Sequence, residues 1–360
     1  MKKLLSDRLR TLSDALSAGR CVVPVILLCA ALFFSSRHLD AQTIIGGGPV
    51  SGVWDVSGSP YYITGDVEVP DDSLLRITAG VTVRISEGAD FVIKGSLVAA
   101  GESGALVSFK PLNSSFGRGL QFIGADTSLL LYCSFNGFNN VFPDSNNDYK
   151  GSALISQNSH LLIFNSLFDH NKINHSNIWL HSAKGGAAYF SASKVFIDNS
   201  SFAFNDIEFN DGPKNPNISC FGGAVCIEGS MGFVKNSTFA QNSISIEGDG
   251  EDQSVYVRGG GIYTTGSIKI LSSTISNNHC YGKAVAWFYG GGWVLALSYV
   301  EGGGVYGSNV KNCDIYGNTC VARATGGGKD GGSGSSTSSG GGLYGGGSGN
   351  RIYGNSLNSN

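Results

Sequence analysis

Residues 185–205 read GGAAYFSASKVFIDNSSFAFN, and residues 222–242 read GGAVCIEGSMGFVKNSTFAQN. Each stretch opens on a glycine doublet, runs through β-branched and aromatic residues, and closes on an Asn. Four more segments close the same way: SLFDHN, STISNN, CDIYGN and NRIYGN. The closing residues are Asn171, Asn205, Asn242, Asn278, Asn318 and Asn355, at steps of 34, 37, 36, 40 and 37. A sustained period of this size marks a solenoid, in which each repeat is one unit that buries its apolar face against its neighbours.

Two apolar rows keep the same phase. Phe168, Phe202, Phe239, Ile275, Ile315 and Ile352 stand three residues before each Asn. Ile163, Ile197, Val234, Ile270 and Val310 stand eight before, with Gly347 in the last copy. Asn165, Asn199, Asn236 and Asn312, with Ser272 as the exception, form a second polar row. A weaker earlier copy surrounds Leu130, Cys133, Phe135 and Phe138. Glycine clusters begin at Gly185, Gly222, Gly259, Gly302 and Gly340, each followed by small or apolar residues and usually an aromatic. Gly and Asn recur too often for helix interiors, so each repeat reads as short strands between corners. Equivalent residues on successive coils lie about 4.8 Å apart. Phe, Ile and Val then stack inward, the Asn amides form a ladder, and Asn and Gly supply left-handed corners. The fold expected is all-β, a right-handed parallel β-helix with one coil per repeat and long loops from one edge.

Residues 52–110 lack the closing Asn but alternate apolar and polar residues between Gly80, Gly88, Gly95 and Gly101. They read as N-terminal capping coils, with the Asn-ladder coils over 111–360. The sequence stops five residues after Asn355 with no helix or polar coil to cover the last coil, so stacking on another copy or a further C-terminal region is expected. At the other end, Lys2, Lys3, Arg8, Arg10 and Arg20 precede an apolar run from Cys21 to Phe34. This reads as a signal peptide over residues 1–41, cut after Ala41. The run is shorter than the roughly 20 residues of a membrane span and contains Pro24.

Composition narrows the function classes. Lys and Arg total 24 against 27 Asp and Glu, so the net charge is 24 − 27 = −3. That balance offers no basic face for nucleic acid. Charged residues are only 14% and glycines number 53, a composition of neither a compact helical enzyme nor a disordered tail. An exported chain permits disulfides. Cys280 and Cys320 each lie two residues after a ladder Asn, so a Cys280–Cys320 staple across adjacent coils is expected. Cys220 and Cys226 form a weaker local candidate pair, while Cys133 and Cys313 sit several coils apart.

The GGA doublets at Gly185 and Gly222, followed by FDHN, FAFN and FAQN, resemble the repeats of chlamydial polymorphic membrane proteins. Those are surface-displayed β-helix passengers implicated in adhesion and carried by a C-terminal barrel. The segments NCDIYGNT and GGGVYG are similar to those of the pectin-lyase-like superfamily. The resemblance covers residues 52–360 and implies a coil shape more than a chemistry. Lyases of that superfamily need acids that hold Ca²⁺ and an Arg or Lys acting as base, and its hydrolases carry Asn-Thr-Asp, Asp-Asp, Gly-His-Gly and Arg-Ile-Lys segments; none is present in order. Asp71-Asp72 is the only Asp-Asp pair and has no histidine near it.

Candidate site residues fall between each ladder Asn and the next glycine cluster. The first such segment holds His175, Trp179 and His181; the second holds Asp206, Glu208 and Asp211; the third holds Glu247, Asp249, Glu251 and Asp252. The fourth is aromatic, with Trp287, Phe288, Tyr289, Trp293 and Tyr299, and the fifth is a Gly/Ser tract over 326–340 read as a flexible excursion. Carboxylates from two loops could hold Ca²⁺, act as an acid/base pair on a sugar, or help aromatics hold a glycan; the plainer alternative is solvated acids on exposed loops. Arg258, beside a glycine corner, faces a possible groove without an evident partner. The expectation is an extracellular or cell-surface, adhesin-like recognition module, contacting a glycan or a neighbouring cell surface. The alternatives are a polysaccharide lyase or hydrolase using the acids at 206–211 and 247–252, and a purely structural surface element. No catalytic residue, metal or obligate cofactor is assigned.

Overall fold

The computed structural model describes residues 42–360 apart from 114–115, 145, 147, 175–179, 210–216, 289–292, 329–330 and 360. The expected leader over 1–41 lies outside the described residues. Within them no helix is long and apolar enough to cross a membrane, and the single helical element is a 3-10 turn at Val56–Gly58. The rest of the regular structure is strand, paired in parallel, and the chain is a β-solenoid.

One wall is an 11-stranded sheet with one strand from each coil, from Thr43–Ile45 to Arg351–Tyr353. The solenoid therefore starts at Thr43, ahead of the boundary at 52 expected from the glycine pattern. Strand Thr43–Ile45 pairs in register with Tyr61–Ile63, a contact its short apolar run did not announce. Phe109, Phe135, Phe168, Phe202 and Phe239 align along this wall. Their rings stack with centroids 4.7, 4.6, 4.6 and 4.9 Å apart. The expected stack thus forms, and Ile275 and Ile315 extend it. An 18-stranded sheet supplies up to two strands per coil, such as Ala188–Ser191 and Lys194–Asp198. It aligns Ile163, Ile197, Val234, Ile270 and Val310 against the same core.

The corners divide the work between the two polar rows. Asn165, Asn199, Asn236, Ser272 and Asn312 take left-handed backbone, with φ between 46 and 55. The ladder asparagines do not; the residue before each does, as at His170, Phe204, Gln241 and Asn277. This corrects the assignment of the ladder Asn to the left-handed position: its predecessor turns the chain, which leaves the amide free to point inward. The serines after the first row build a second, unforeseen ladder, in which Oγ of Ser200, Ser237 and Ser273 accepts from the backbone N of Ser166, Ser200 and Ser237. In each glycine cluster the first member carries φ near 70, as at Gly185, Gly222 and Gly259. The second member permits close approach: a Cβ on Gly223 would lie 2.0 Å from the Gly260 carbonyl oxygen.

The segments between ladder Asn and glycine cluster do leave one edge of the stack, but they are largely strand. Outgoing strands Lys172–Asn174, Asp206–Phe209, Ser243–Gly250, His279–Phe288, Thr319–Gly328 and Ser356–Ser359 form one six-stranded sheet. Returning strands Asp148–Lys150, Ser182–Lys184, Asn217–Phe221, Ser254–Arg258, Val294–Glu301 and Gly332–Ser339 form another. Between them lies a second core of Ile173, Ile207, Ile244, Val255, Val257, Val300 and their neighbours. The Gly/Ser tract, expected to be a flexible excursion, belongs to these sheets from Thr319–Gly328 into Gly332–Ser339. Ladder hydrogen bonds are made by backbone, so a well-ordered preceding rung templates a strand with almost no side chains.

Cys280 and Cys320 stand in register on adjacent rungs, as their spacing implies. Both are nevertheless free thiols and buried, Cys280 Sγ donating to the Gly302 carbonyl and Cys320 Sγ to the Ser339 carbonyl. In-register rungs hold side chains about 4.8 Å apart, whereas a disulfide needs Cβ atoms at about 3.8 Å. The expected staple is absent. Cys220 and Cys226, also free, belong to different apolar clusters.

Candidate functional site

The acidic candidates lie on the outward face of the outgoing sheet. Asp206 stands in register between Lys172 and Ser243, and its Oδ1 accepts from Ser243 Oγ at 2.8 Å. Burial pushes its carboxyl above the ordinary value and the Glu208 charge adds to this, against the Ser243 hydrogen bond. Glu208 accepts from Asn174 Nδ2 at 3.1 Å. Glu247 is held by Lys283 Nζ at 3.0 Å and Tyr281 OH at 3.3 Å, and its hydrogen bond raises the Lys283 ammonium. Asp249, Glu251 and Asp252 are exposed at the far end, where Asp252 Oδ1 accepts from Leu295 N at 2.9 Å. These acids form a row along one face, and they do not confront one another across a cleft. Among the described residues no three His, Cys, Asp or Glu side chains gather as a metal site. Trp287 and Trp293 are exposed at the tip of the excursion. Trp179 and Asp211, with His175 and Tyr289, lie outside the described residues.

A denser constellation lies on the opposite face of the excursion. There the returning sheet meets the outer side of the 18-stranded sheet at the glycine corner, and the line where they meet is a groove along the solenoid axis in which Ile155, Tyr189, Cys226 and Tyr263 are buried. One wall aligns Lys150, Lys184, Phe221, Arg258 and Glu301. The other aligns Ile155, Tyr189, Cys226, Tyr263, Tyr306 and Tyr344.

Rings pair across and along the groove. Phe221 stacks on Tyr263 at 4.7 Å, Tyr263 on Tyr306 at 5.0 Å, and Tyr306 on Tyr344 at 5.1 Å. The Arg258 guanidinium lies 5.0 Å from the Tyr306 ring centre and 5.8 Å from that of Phe221. Lys184 Nζ sits 5.9 Å from the Tyr189 ring. Such cation–ring contacts are worth about 0.5–2 kcal/mol, most where water is excluded.

Acids close the network. Lys184 Nζ bonds Glu228 Oε2 at 3.0 Å, and Tyr189 OH donates to the same oxygen at 2.9 Å. Arg258, without an evident partner in sequence, donates to Glu301 Oε2 at 2.7 Å. Burial pushes the Tyr189 phenol up and the Glu228 charge reinforces it. Burial likewise pushes Tyr263 up to about 12. For Arg258 burial acts downward and is the largest single effect, but the Glu301 hydrogen bond and the charges of Tyr306, Glu301 and Tyr263 together outweigh it and the guanidinium is raised. At its N-terminal end the groove opens into a cleft of about 260 Å³, bordered by Arg118, Phe142, Asp144, Lys150 and Gln157.

Sequence reading passed over most of these residues. One signal was available: an aromatic follows four of the five glycine clusters, as Tyr189, Tyr263, Tyr306 and Tyr344 with Cys226 in the second, and the residues before the first four are Lys184, Phe221, Arg258 and Glu301. That the two columns face each other depends on how the returning sheet folds onto its neighbour. No family model matches the chain, and neither a curated protein nor a solved structure does.

Proposed function

We propose that this chain is an exported, adhesin-like recognition module that holds an extended glycan along the groove between the returning sheet and the 18-stranded sheet. The observation that carries the reading is the alignment of ring and cation columns along the axis, with Arg258 between Phe221 and Tyr306. The stacked ring column presents its apolar edges to the apolar faces of pyranose rings, while Lys184, Glu228 and Tyr189 offer polar groups to hydroxyls. A rung repeat of about 4.8 Å spaces these groups at a regular interval along the axis, which suits an extended polymer. The likeness of the GGA and FxxN rows to surface-displayed β-helix passengers supports the same placement outside the cell. Partner and location both belong to the proposal.

The test is equilibrium binding of the protein to polyuronides and neutral glycans. We expect a retained polymer whose affinity falls at least tenfold in Lys184→Met and in Tyr306→Ala. Unchanged binding in both variants would remove the groove from the account.

A second reading, a polysaccharide lyase or hydrolase, draws support from Lys184 facing Glu228 across the groove with Tyr189 on the same oxygen. A base must be free to take a proton, and here each basic side chain is already held by an acid, so binding is the better-supported reading. Unsaturated products or new reducing ends, abolished in Lys184→Met, would reverse that order.

A further inference from the structure

The far end of the excursion holds an arrangement separate from the groove. Strands His279–Phe288 and Val294–Glu301 lead to and from it, and they leave Trp287 50% and Trp293 73% exposed. The next rung explains how the rings are set. Gly327 stands in register with Trp287, and a Cβ there would lie 3.1–3.4 Å from three atoms of the Trp287 six-membered ring. A Cβ on Gly331 would lie 3.6–3.8 Å from three atoms of the Trp293 ring. Each indole therefore rests broadside on bare backbone and turns its other face to solvent. The glycine tract is what permits this, because a side chain at Gly327 would tilt the ring away.

The preceding rung supplies the charge. Asp249 stands beside Val285, two residues from Trp287 along the same strand, and Asp252 binds the backbone N of Leu295, two residues from Trp293. Glu251 lies between them, exposed. The nearby cation Lys283 is held by Glu247. The described surface thus joins two open indole faces to a border of carboxylates.

We infer that this tip is a platform for the amino-sugar units of a cationic glycan. Indole faces take the apolar face of a pyranose and attract an ammonium through the ring quadrupole. Carboxylates favour the ammonium and repel a uronate. The inference rests on the glycan-recognition reading but concerns a different surface, so the two can fail separately.

The experiment titrates the full protein with a β-1,4-linked glucosamine hexamer, the neutral glucose hexamer and a galacturonate hexamer, following indole fluorescence and heat. The glucosamine hexamer should bind, more weakly at higher salt, while the galacturonate hexamer leaves the indole signal unchanged. Trp287→Ala with Trp293→Ala should lower affinity at least tenfold with an unchanged circular dichroism spectrum, and Asp249→Asn with Glu251→Gln should lower it several-fold. Lys184→Met should leave it intact. Undiminished binding in the double Trp variant overturns the proposal, as does equal binding of glucosamine and galacturonate hexamers. Loss confined to Lys184→Met would also overturn it and assign the amino sugar to the groove.

Discussion

Asn205 Nδ2 donates to Asn242 Oδ1 at 2.9 Å, and the same oxygen accepts from the Asn205 backbone N at 3.0 Å. Asn242 repeats both bonds to Asn278 Oδ1, and its second amide hydrogen goes to the Phe202 carbonyl at 3.0 Å. A fully buried amide is thus satisfied by the rungs on either side, which no isolated repeat could do.

Replacing Asn242 by Ala should therefore be costly. It strands the backbone N of Asn205 and one of its two amide hydrogens, takes a donor from the Phe202 carbonyl, and leaves Asn278 Oδ1 with only the backbone N of residue 242. Each buried unsatisfied group costs about 1–3 kcal/mol, less whatever water recovers. We expect a loss of about 3 kcal/mol or more in the midpoint-derived stability from urea unfolding, whereas exposed Asn199→Ala should cost well under that.

Gly223→Ala should be more damaging than helix or strand propensity allows. The new Cβ would sit 2.0 Å from the Gly260 carbonyl oxygen, so two rungs must separate. Gly346, with nothing within 4 Å of a Cβ, is the control. A drop in thermal midpoint of several degrees in the first variant and almost none in the second is the expected result.

Asp206 gives a pH signature whose sign follows from its raised carboxyl. The folded state binds this proton more tightly than the unfolded chain, so the Asp206 contribution to stability falls as pH rises from the ordinary carboxyl value of 3.8 through the raised one. Asp206→Asn removes that dependence. The stability of the variant relative to the natural protein should therefore be more favourable at pH 7 than at pH 3.5, as read from paired urea curves. An opposite ordering would mean that the Ser243 hydrogen bond outweighs burial.

The thiols offer a direct count. Cys133, Cys220, Cys226, Cys280, Cys313 and Cys320 are free, and burial raises the pKa of Cys280 and Cys226 well above the ordinary thiol value. In residues 42–360, which leave out Cys21 and Cys29, all six should be unreactive toward a thiol reagent in native buffer at pH 8 and reactive once the protein is denatured without reductant. Four reactive thiols would restore one disulfide, with Cys280–Cys320 the first pair to examine by peptide mapping.

Much of the solenoid was legible because a stacked fold writes its geometry into the sequence once per coil. Phe168, Phe202 and Phe239 are three readings of one position, and the ladder Asn marks the phase. The excursions were harder to read. Ile207, Ile244 and Ile246 alternate with polar residues as strand residues should, but the alternation is short, and glycine replaces it in the later copies. The Cys280–Cys320 expectation had the right register and the wrong chemistry, since a spacing in sequence gives the rung and not the separation of the sulfur atoms.

The sequence by itself determined the period, the inward rows, the corner residues and therefore a parallel β-helix, because those features depend on interactions between equivalent positions of neighbouring repeats. Only the tertiary structure decided that the excursions close into a second two-sheet core, that Arg258 meets Glu301, and that Lys184 reaches Glu228. Arg258 and Glu301 are equivalent positions of neighbouring rungs on the returning sheet, where only the side-chain geometry shows the ion pair, whereas Lys184 and Glu228 join non-equivalent positions on two sheets that meet at a glycine corner. A glycine permits many angles, and packing of the whole stack selects one.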